Sequence, residues 1–170
     1  MKRRPLSRRG FTLIEVMTVV SIVGILAAVA IPELTARLRR TKRAEADVAM
    51  AQIERSVMNY FGDKGAFPTR TSATASTMTG AWNPAVLSRT SKFDPKMTGW
   101  VDLEVPLDGV NRYFSYQLSG AHSASTATYT VTLRSDLDGD GIVALRTRTW
   151  NLSRGQWLLG SDVKTGDNEY

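Results

Sequence analysis

The chain has 170 residues, 42% of them hydrophobic, which suits one ordinary domain and an appendage but not two full domains. Its formal charge of +6 comes from two clusters of five basic residues, within residues 1–10 and 37–43. Residues 44–170 carry 12 basic and 14 acidic side chains, so a nucleic-acid-binding face is unsupported. The chain has no cysteine and one histidine, His122, which we predict to be a solvated loop residue. No catalytic constellation emerges from these residues.

An apolar run follows the first basic cluster. Residues 11–31 include a single charged side chain, Glu15. As a helix the run would span about 31 Å, enough to cross a bilayer. It is longer than the apolar part of a cleaved secretory signal and leads directly into more helix-forming sequence, which predicts a retained anchor. Basic residues flank the run on both sides, so charge alone leaves its orientation open.

A specific motif surrounds the start of this run. Gly10 follows two arginines and precedes the sequence FTLIEVM, and Gly24, small residues at 27–30 and Pro32 come after it. This pattern resembles the prepilin signature of type IV pilins and type II secretion pseudopilins. The resemblance implies cleavage after Gly10 by a membrane aspartic prepilin peptidase, N-methylation of Phe11, and extraction from the inner membrane into a helical filament. The implied partners are other pilin subunits, an inner-membrane assembly platform and, before assembly, membrane lipid.

Glu15 has two interpretations. An ionised carboxylate inside a bilayer costs about 2.5 to 3.5 kcal/mol, so it needs a partner or a function. By the family resemblance, its partner is the protonated amino group of a cleaved Phe11 on a neighbouring subunit, and such a pair would select the axial register. The local alternative is a capping box with Thr12, which needs no second subunit.

Gly24 and Pro32 also carry more than one interpretation. A glycine in a membrane helix allows close helix packing. Pro32 removes a backbone donor and clashes with the carbonyl of Ala28, which predicts a kink. The resemblance adds that the segment between such a glycine and proline can lose helicity when subunits pack into a fibre.

Beyond Pro32 we predict that the helix continues as an amphipathic half to residue 61, with Gly62 and Gly65 as stop signals. Its apolar positions fall near multiples of 3.6 and are Leu34, Leu38, Met50, Ile53, Val57, Tyr60 and Phe61. The later members of this stripe are expected to cover a sheet. The basic cluster at 37–43 would meet anionic headgroups where the helix leaves the bilayer, or would form a solvated helix face.

The remainder is predicted to be a loop followed by antiparallel strands. Residues 62–99 lack periodicity, and the Ser/Thr-rich stretch 69–80 indicates a flexible loop, with glycosylation as an open alternative. The predicted strands are 100–105, 113–118, 128–133 and 142–151, with 156–159 as an extension. In the fourth strand Val143 and Leu145 lie on one face and Arg146, Arg148 and Trp150 on the other. Apolar residues are expected to face inward and polar residues outward.

An aspartate-rich loop separates the last two predicted strands. Asp136, Asp138 and Asp140 have the spacing of the first half of a calcium loop, but position twelve is Thr147 instead of glutamate. The alternative is a hairpin turn whose acids are neutralised by Arg134 and by the arginines of the fourth strand. Calcium is therefore a possible cofactor, and the turn remains open beside it.

Together these features predict an α+β, pilin-like fold, with a long kinked N-terminal α-helix packed on a small antiparallel β-sheet. The predicted parts are a cleaved leader (1–10), a transmembrane and filament-core helix (11–31), its amphipathic half (32–61), a loop (62–99) and a sheet head (100–170). The expected function is a structural subunit of a type IV pilus or related filament, without catalysis, first in the inner membrane and then in a periplasm-spanning or extracellular filament. The absence of cysteine favours a minor over a major pilin. The alternatives are a type II secretion pseudopilin and a single-pass anchored calcium-binding module.

Overall fold

The computed structural model describes residues 10–68, 77–87, 91–107, 111–123, 126–137, 139 and 141–166. These residues form one long helix, a short 3-10 helix and seven strands. The helices are α1 (Leu13–Lys64) and the 3-10 helix Val101–Leu103; the strands are β1 (Thr77–Thr79), β2 (Ser91–Lys92), β3 (Asn111–Arg112), β4 (Phe114–His122), β5 (Ala127–Ser135), β6 (Ala144–Ser153) and β7 (Gln156–Thr165). The chain divides into two compact units, Met1–Arg40 and Thr41–Tyr170.

The first unit contributes the N-terminal part of α1. Its large apolar side chains are exposed, from Leu13 at 79% to Leu38 at 53%. Among the described residues, α1 is the helix long and apolar enough to cross a membrane. It continues through Pro32 without ending. The bend expected at that proline stays a prediction.

The second unit is built on a five-stranded antiparallel sheet in the order β1-β4-β5-β6-β7. The register places Tyr116 of β4 opposite Leu133 of β5, and Leu133 opposite Arg146 of β6. β2 and β3 form a separate two-stranded pair. The predicted α+β fold, with a long helix and an antiparallel sheet, is confirmed.

The core of this unit lies between α1 and the sheet. Met50, Ile53 and Val57 are fully buried, as the helical period predicted, and they pack in one cluster with alternating residues of the central strands: Tyr116, Leu118, Tyr129, Val131 and Leu133. The buried stretch of the helix begins at Ala46. The amphipathic half therefore covers the sheet only from that residue onward.

The helix ends at Lys64, three residues beyond the predicted end at residue 61. Gly65 has a φ of +66°, and its amide donates a hydrogen bond of 2.8 Å to the carbonyl of Phe61. A glycine satisfies this left-handed position after a helix at little steric cost. Gly62 is still helical, so Gly65 is the stop.

Three expectations about the head are wrong. No strand forms at 100–105; residues 101–103 form the 3-10 helix, and the buried Trp100 and Leu103 are three residues apart, which is the period of that helix. The region 62–99 is not simply a loop, since it supplies β1 at the edge of the main sheet and β2 of the smaller one. His122 is not a loop residue: it ends β4, and its ring lies 5.8 Å from Phe61.

Candidate functional site

The N-terminus of α1 is closed by the capping box that the sequence predicted. The amide and hydroxyl of Thr12 both donate to Oε2 of Glu15, at 3.0 and 2.9 Å. The Glu15 amide donates in return to the Thr12 hydroxyl at 3.3 Å. Both hydrogen bonds onto the carboxylate use the same oxygen, so the local cap does not occupy Oε1. The cap and a pair with a second subunit are therefore geometrically compatible.

The exposed surface around Glu15 is mainly apolar, and the hydroxyls of Thr18 and Ser21 donate to carbonyls of the helix itself. Phe11 is 84% exposed and Ile14 is 73% exposed, and no residue in the most apolar stretch of α1 is buried. A shallow apolar concavity beside the carboxylate is lined by Phe11, Val16, Val19 and Val20. A helix that is apolar all round is stable only inside a membrane or among other helices. This surface requires an apolar environment that the described chain does not provide.

Gly24 and Pro32 lie on the same exposed helix. A side chain built at Gly24 would meet no atom within 4 Å, so the small size of this residue has no function in the packing of its own unit. The carbonyl of Pro32 accepts a hydrogen bond of 2.8 Å from the hydroxyl of Thr35. The structure brings Phe11 and Glu15 together and leaves Gly24 and Pro32 further along the helix.

The basic segment, residues 37–43, has partners within the chain. Arg37 pairs with Glu33 at 3.0 Å, one helical turn away. The Lys42 ammonium lies 4.3 Å from the centre of the Tyr113 ring, a cation-π distance. These contacts leave the headgroup interpretation as a prediction.

The aspartate loop is described only in part, because Asp138 and Asp140 lie outside the described residues. The Asp136 carboxylate accepts hydrogen bonds from the amides of Gly139, at 2.7 Å, and Gly141, at 3.3 Å. Such side-chain to backbone bonds organise a turn without a cation. Among the described residues, no cluster of three or more His, Cys, Asp or Glu side chains could hold a metal. Calcium at this loop stays a prediction.

The arginines expected to neutralise that loop make other contacts. Arg134 donates to the carbonyl of Ala85 at 2.7 Å and lies 4.2 Å from the centre of the Trp82 ring. Arg146 and Arg148 point toward α1, on the inward face of β6. The expectation of a polar outward face is therefore wrong for this strand, whose inward face carries the charges.

These two arginines form an ion network that the sequence did not predict. Arg146, with 9% of its side chain exposed, pairs with Asp47 of α1 and with Asp162 of β7, the latter at 2.8 Å. Arg148 lies 3.5 Å from Glu54 of α1 and 3.1 Å from Asp162. The network ties the helix to the last two strands. We refer to it as the helix-sheet network.

The pKa values of two acids in the network, Asp162 and Glu54, are shifted in opposite directions. Hydrogen bonds from Arg146, and then from Arg148, lower the pKa of Asp162 to about 2. Burial raises the pKa of Glu54, although Trp150 and Arg148 oppose that shift. Desolvation thus dominates at Glu54 and charge-assisted hydrogen bonding dominates at Asp162.

The fold and the N-terminal site define a class: proteins with a long N-terminal helix whose first part is exposed, apolar and long enough to cross a membrane. A family described as the prokaryotic N-terminal methylation motif matches residues 6–31. The fimbrial protein EcpC of Eikenella corrodens is 38% identical over 84 residues, which cover 48% of this chain and 55% of EcpC. These matches, with those to two named pilins given next, show that the chain carries the methylation motif and is similar to type IV pilins and fimbrial proteins.

Two further relatives carry the name of major pilins. PilE1 of Neisseria gonorrhoeae is 34% identical over 108 residues, covering 62% of this chain and 47% of PilE1. PilA of Myxococcus xanthus is 45% identical over 56 residues, covering 33% and 26%. The chain thus spans about half or less of the length of these relatives. No solved structure matches it. These three relatives are named as pilins or a fimbrial protein.

Proposed function

We propose that the chain is a structural subunit of a type IV pilus or a related filament. It is made as a single-pass inner-membrane prepilin, is cleaved after Gly10 by a prepilin peptidase, is methylated on Phe11, and passes through an assembly platform into a periplasm-spanning or extracellular filament. The observation that carries this proposal is the exposed apolar helix of the first unit, which begins inside the methylation motif. Lipid covers this helix before assembly, and neighbouring helices cover it afterwards.

Glu15 supplies the register of the filament in this proposal. Cleavage after Gly10 leaves an amino group at Phe11 that is largely protonated at neutral pH. The Oε1 atom of Glu15, which the cap does not use, accepts a hydrogen bond from the ammonium of a neighbouring subunit. A slip of one residue would leave both charges unpaired among apolar side chains, which makes one axial position preferred.

A pilus subunit is favoured over the alternatives by the relatives, which are named as pilins or fimbrial proteins. A type II secretion pseudopilin would share the same anchor. An anchored calcium-binding module would depend on the loop at Asp136, whose described hydrogen bonds form a turn without a cation. Assignment as a minor pilin is supported by the absence of cysteine.

Two substitutions separate filament pairing from the local cap. Glu15→Gln keeps an acceptor for the Thr12 amide and removes the charge, whereas Thr12→Val removes the hydroxyl of the cap and keeps the carboxylate. We expect Glu15→Gln to be inserted and cleaved normally but to enter sheared filaments at least about tenfold less than the parent, since a charge pair among apolar helices is lost. Thr12→Val should assemble at nearly the parental level.

Both variants are measured by mass spectrometry of membrane and sheared fractions. Equal incorporation of Glu15→Gln and parent would show that the carboxylate does not select the register. A loss confined to Thr12→Val would leave the cap as the function of Glu15.

A further inference from the structure

The strand β7 (Gln156–Thr165) ends the main sheet. One of its long edges pairs with β6, and the other meets no strand among the described residues. The strand has ten residues, contains no proline, and carries three large apolar side chains that are 53%, 51% and 49% exposed: Leu158, Leu159 and Val163. Natural sheets usually shorten or interrupt such an edge, because its N–H and C=O groups can pair with another strand. We call it the open edge.

The pairing with β6 shows which face each β7 side chain occupies, because residues opposite each other on neighbouring strands share a face. Arg148 is inward, so Asp162 opposite it is inward too. By the same rule, the inward side chains of β7 are Trp157, Leu159, Asp162 and Lys164, and the outward ones are Gln156, Leu158, Ser161, Val163 and Thr165. The alternation changes phase at Gly160, which is the extra residue of a β-bulge.

This change of phase makes the open edge complementary to a second copy of itself. An antiparallel pair that uses all ten residues places Gln156 opposite Thr165 of the copy. In a strand that alternates regularly, the first and tenth residues lie on opposite faces, so such a pair would join inward to outward residues. The bulge removes this conflict. Every pair outside the central one, Gly160 with Ser161, joins residues of the same face.

The side chains that meet in this register are compatible. Leu158 lies opposite Val163 of the copy, so these half-exposed apolar side chains cover each other on both sides of the two-fold axis. Lys164 lies opposite Trp157, which is a cation-π combination. No pair places two like charges opposite each other. The register therefore buries apolar surface without opposing charges.

We propose that the open edge pairs antiparallel, in this register, with the open edge of a second copy of the chain in a neighbouring filament. This inference rests on the proposed filament function. The pair is isologous, with its two-fold axis beside Gly160, whereas an open helical filament is built from heterologous contacts between its own subunits. The contact therefore joins the heads of different filaments.

The size of the contact determines where it forms. Stable dimers bury about 1,200 to 2,000 Å² in total, which is more than one strand edge supplies. An isolated head therefore stays monomeric. Two filaments that each carry several copies sum their contacts, and this multivalency holds them together.

Disulfide formation between two filament preparations tests the register, because the chain has no cysteine of its own. One preparation of the full chain carries Leu158→Cys and the other carries Val163→Cys. After mixing and mild oxidation, disulfide-linked dimers should be at least about tenfold more abundant than in either preparation alone. Within one preparation, the two identical positions are offset by five residues, about 17 Å along the strands. A disulfide requires Cα atoms within about 7 Å.

The matched control mixes the Leu158→Cys filaments with filaments that carry Thr165→Cys. This position is exposed and outward on the same strand, two residues from Val163. Two residues move the thiol by about 7 Å along the strand, so the control mixture should form few dimers. Equal dimer formation in the control and test mixtures would overturn the proposed pairing.

Filament association gives an independent measurement. Val163→Arg places a charge against Leu158 of the copy and should lower the amount of filament recovered by low-speed sedimentation about fivefold, whereas Val163→Ile should keep the parental level. The total sheared filament yield should be unchanged in both, since Val163 is 49% exposed in its own head. Parental association of Val163→Arg filaments, or mixed filaments without disulfide-linked dimers, would overturn the contact while the filament function stands. A parent that forms no filament would overturn both.

Discussion

The two units of the chain differ in where the packing and hydrogen-bonding partners of their side chains lie. In the first unit, the apolar residues of α1 are exposed on all sides, and the polar contacts at its start are local to Thr12 and Glu15. In the second unit, the same helix buries one stripe against a sheet and pairs its acids with strand arginines. The first unit therefore depends on apolar surfaces outside the chain, whereas the second unit contains its own packing and ion-pair partners.

Loss of Arg146 should produce the largest change in the second unit. Arg146→Ala removes a side chain that is 9% exposed and leaves Arg148, at 3.9 and 3.1 Å, as the remaining arginine partner of Asp47 and Asp162. We expect the free energy of unfolding to fall by about 3 to 5 kcal/mol, as for other broken buried pairs. Chemical unfolding of a head fragment that starts near Thr35 would measure it.

The control for that variant is Arg154→Ala in the exposed turn, which should change stability by no more than about 0.5 kcal/mol. Equal effects of the two substitutions would mean that the helix-sheet network contributes nothing specific. The fragment itself should melt cooperatively as a monomer, because its core lies within residues 46–137.

The same substitution, isoleucine to alanine, made in each unit tests whether the head is stable independently of the first unit. Ile53 is fully buried, and Ile53→Ala should destabilise the head by about 2 to 4 kcal/mol. Ile22 is 53% exposed, and Ile22→Ala in the full chain in detergent should leave the melting of the head unchanged. A shift in head melting caused by Ile22→Ala would contradict the independence of the two units.

Calcium tests the loop between β5 and β6 on the same head fragment. If the loop binds the ion, a hundredfold excess over the dissociation constant should stabilise the head by about 2.7 kcal/mol, and Asp138→Ala should abolish this gain. The turn formed by Asp136 predicts a melting temperature indifferent to calcium and to chelator. Asp138→Ala keeps Asp136, whose carboxylate accepts the two described amide hydrogen bonds.

Acid should weaken the helix-sheet network through Asp162. Its pKa is lowered to about 2 in the folded head, below the unfolded value of about 3.9, so its contribution is complete above pH 4 and is lost as pH falls toward 2. Glu54 has a raised pKa, so its effect has the opposite sign: its contribution is present at low pH and is lost as pH rises.

We expect a net loss of about 1 kcal/mol between pH 4 and pH 2 from Asp162, reduced by its partial solvent screening. Thermal melts of the parent and Asp162→Asn across this range would measure the difference. An identical acid dependence in the two proteins would remove Asp162 from the explanation.

Local patterns predicted the parts of the chain whose partners are near in sequence. The alternation of Tyr116 and Leu118 in β4, and of Tyr129, Val131 and Leu133 in β5, gave two strands with the correct inward faces. The Thr12 and Glu15 cap was readable because its two residues are three positions apart. Such signals follow from periodicity and capping chemistry alone.

The helix-sheet network was not predictable in the same way. Arg146 and Asp47 are 99 residues apart, and nothing in either local segment specifies the other. The polar side of β6 was interpreted as outward because charged residues are usually solvated, yet acids at two positions seven apart on α1 make it the inward side. The sequence signal of this network is the pair of arginines spaced by two on a strand together with helix acids spaced by seven.

Mass spectrometry of sheared filaments tests whether the first unit is an assembly element. We expect a chain that begins at N-methylated Phe11 and has lost residues 1–10. An uncleaved chain that remains in the membrane fraction and is absent from the sheared filaments would contradict it.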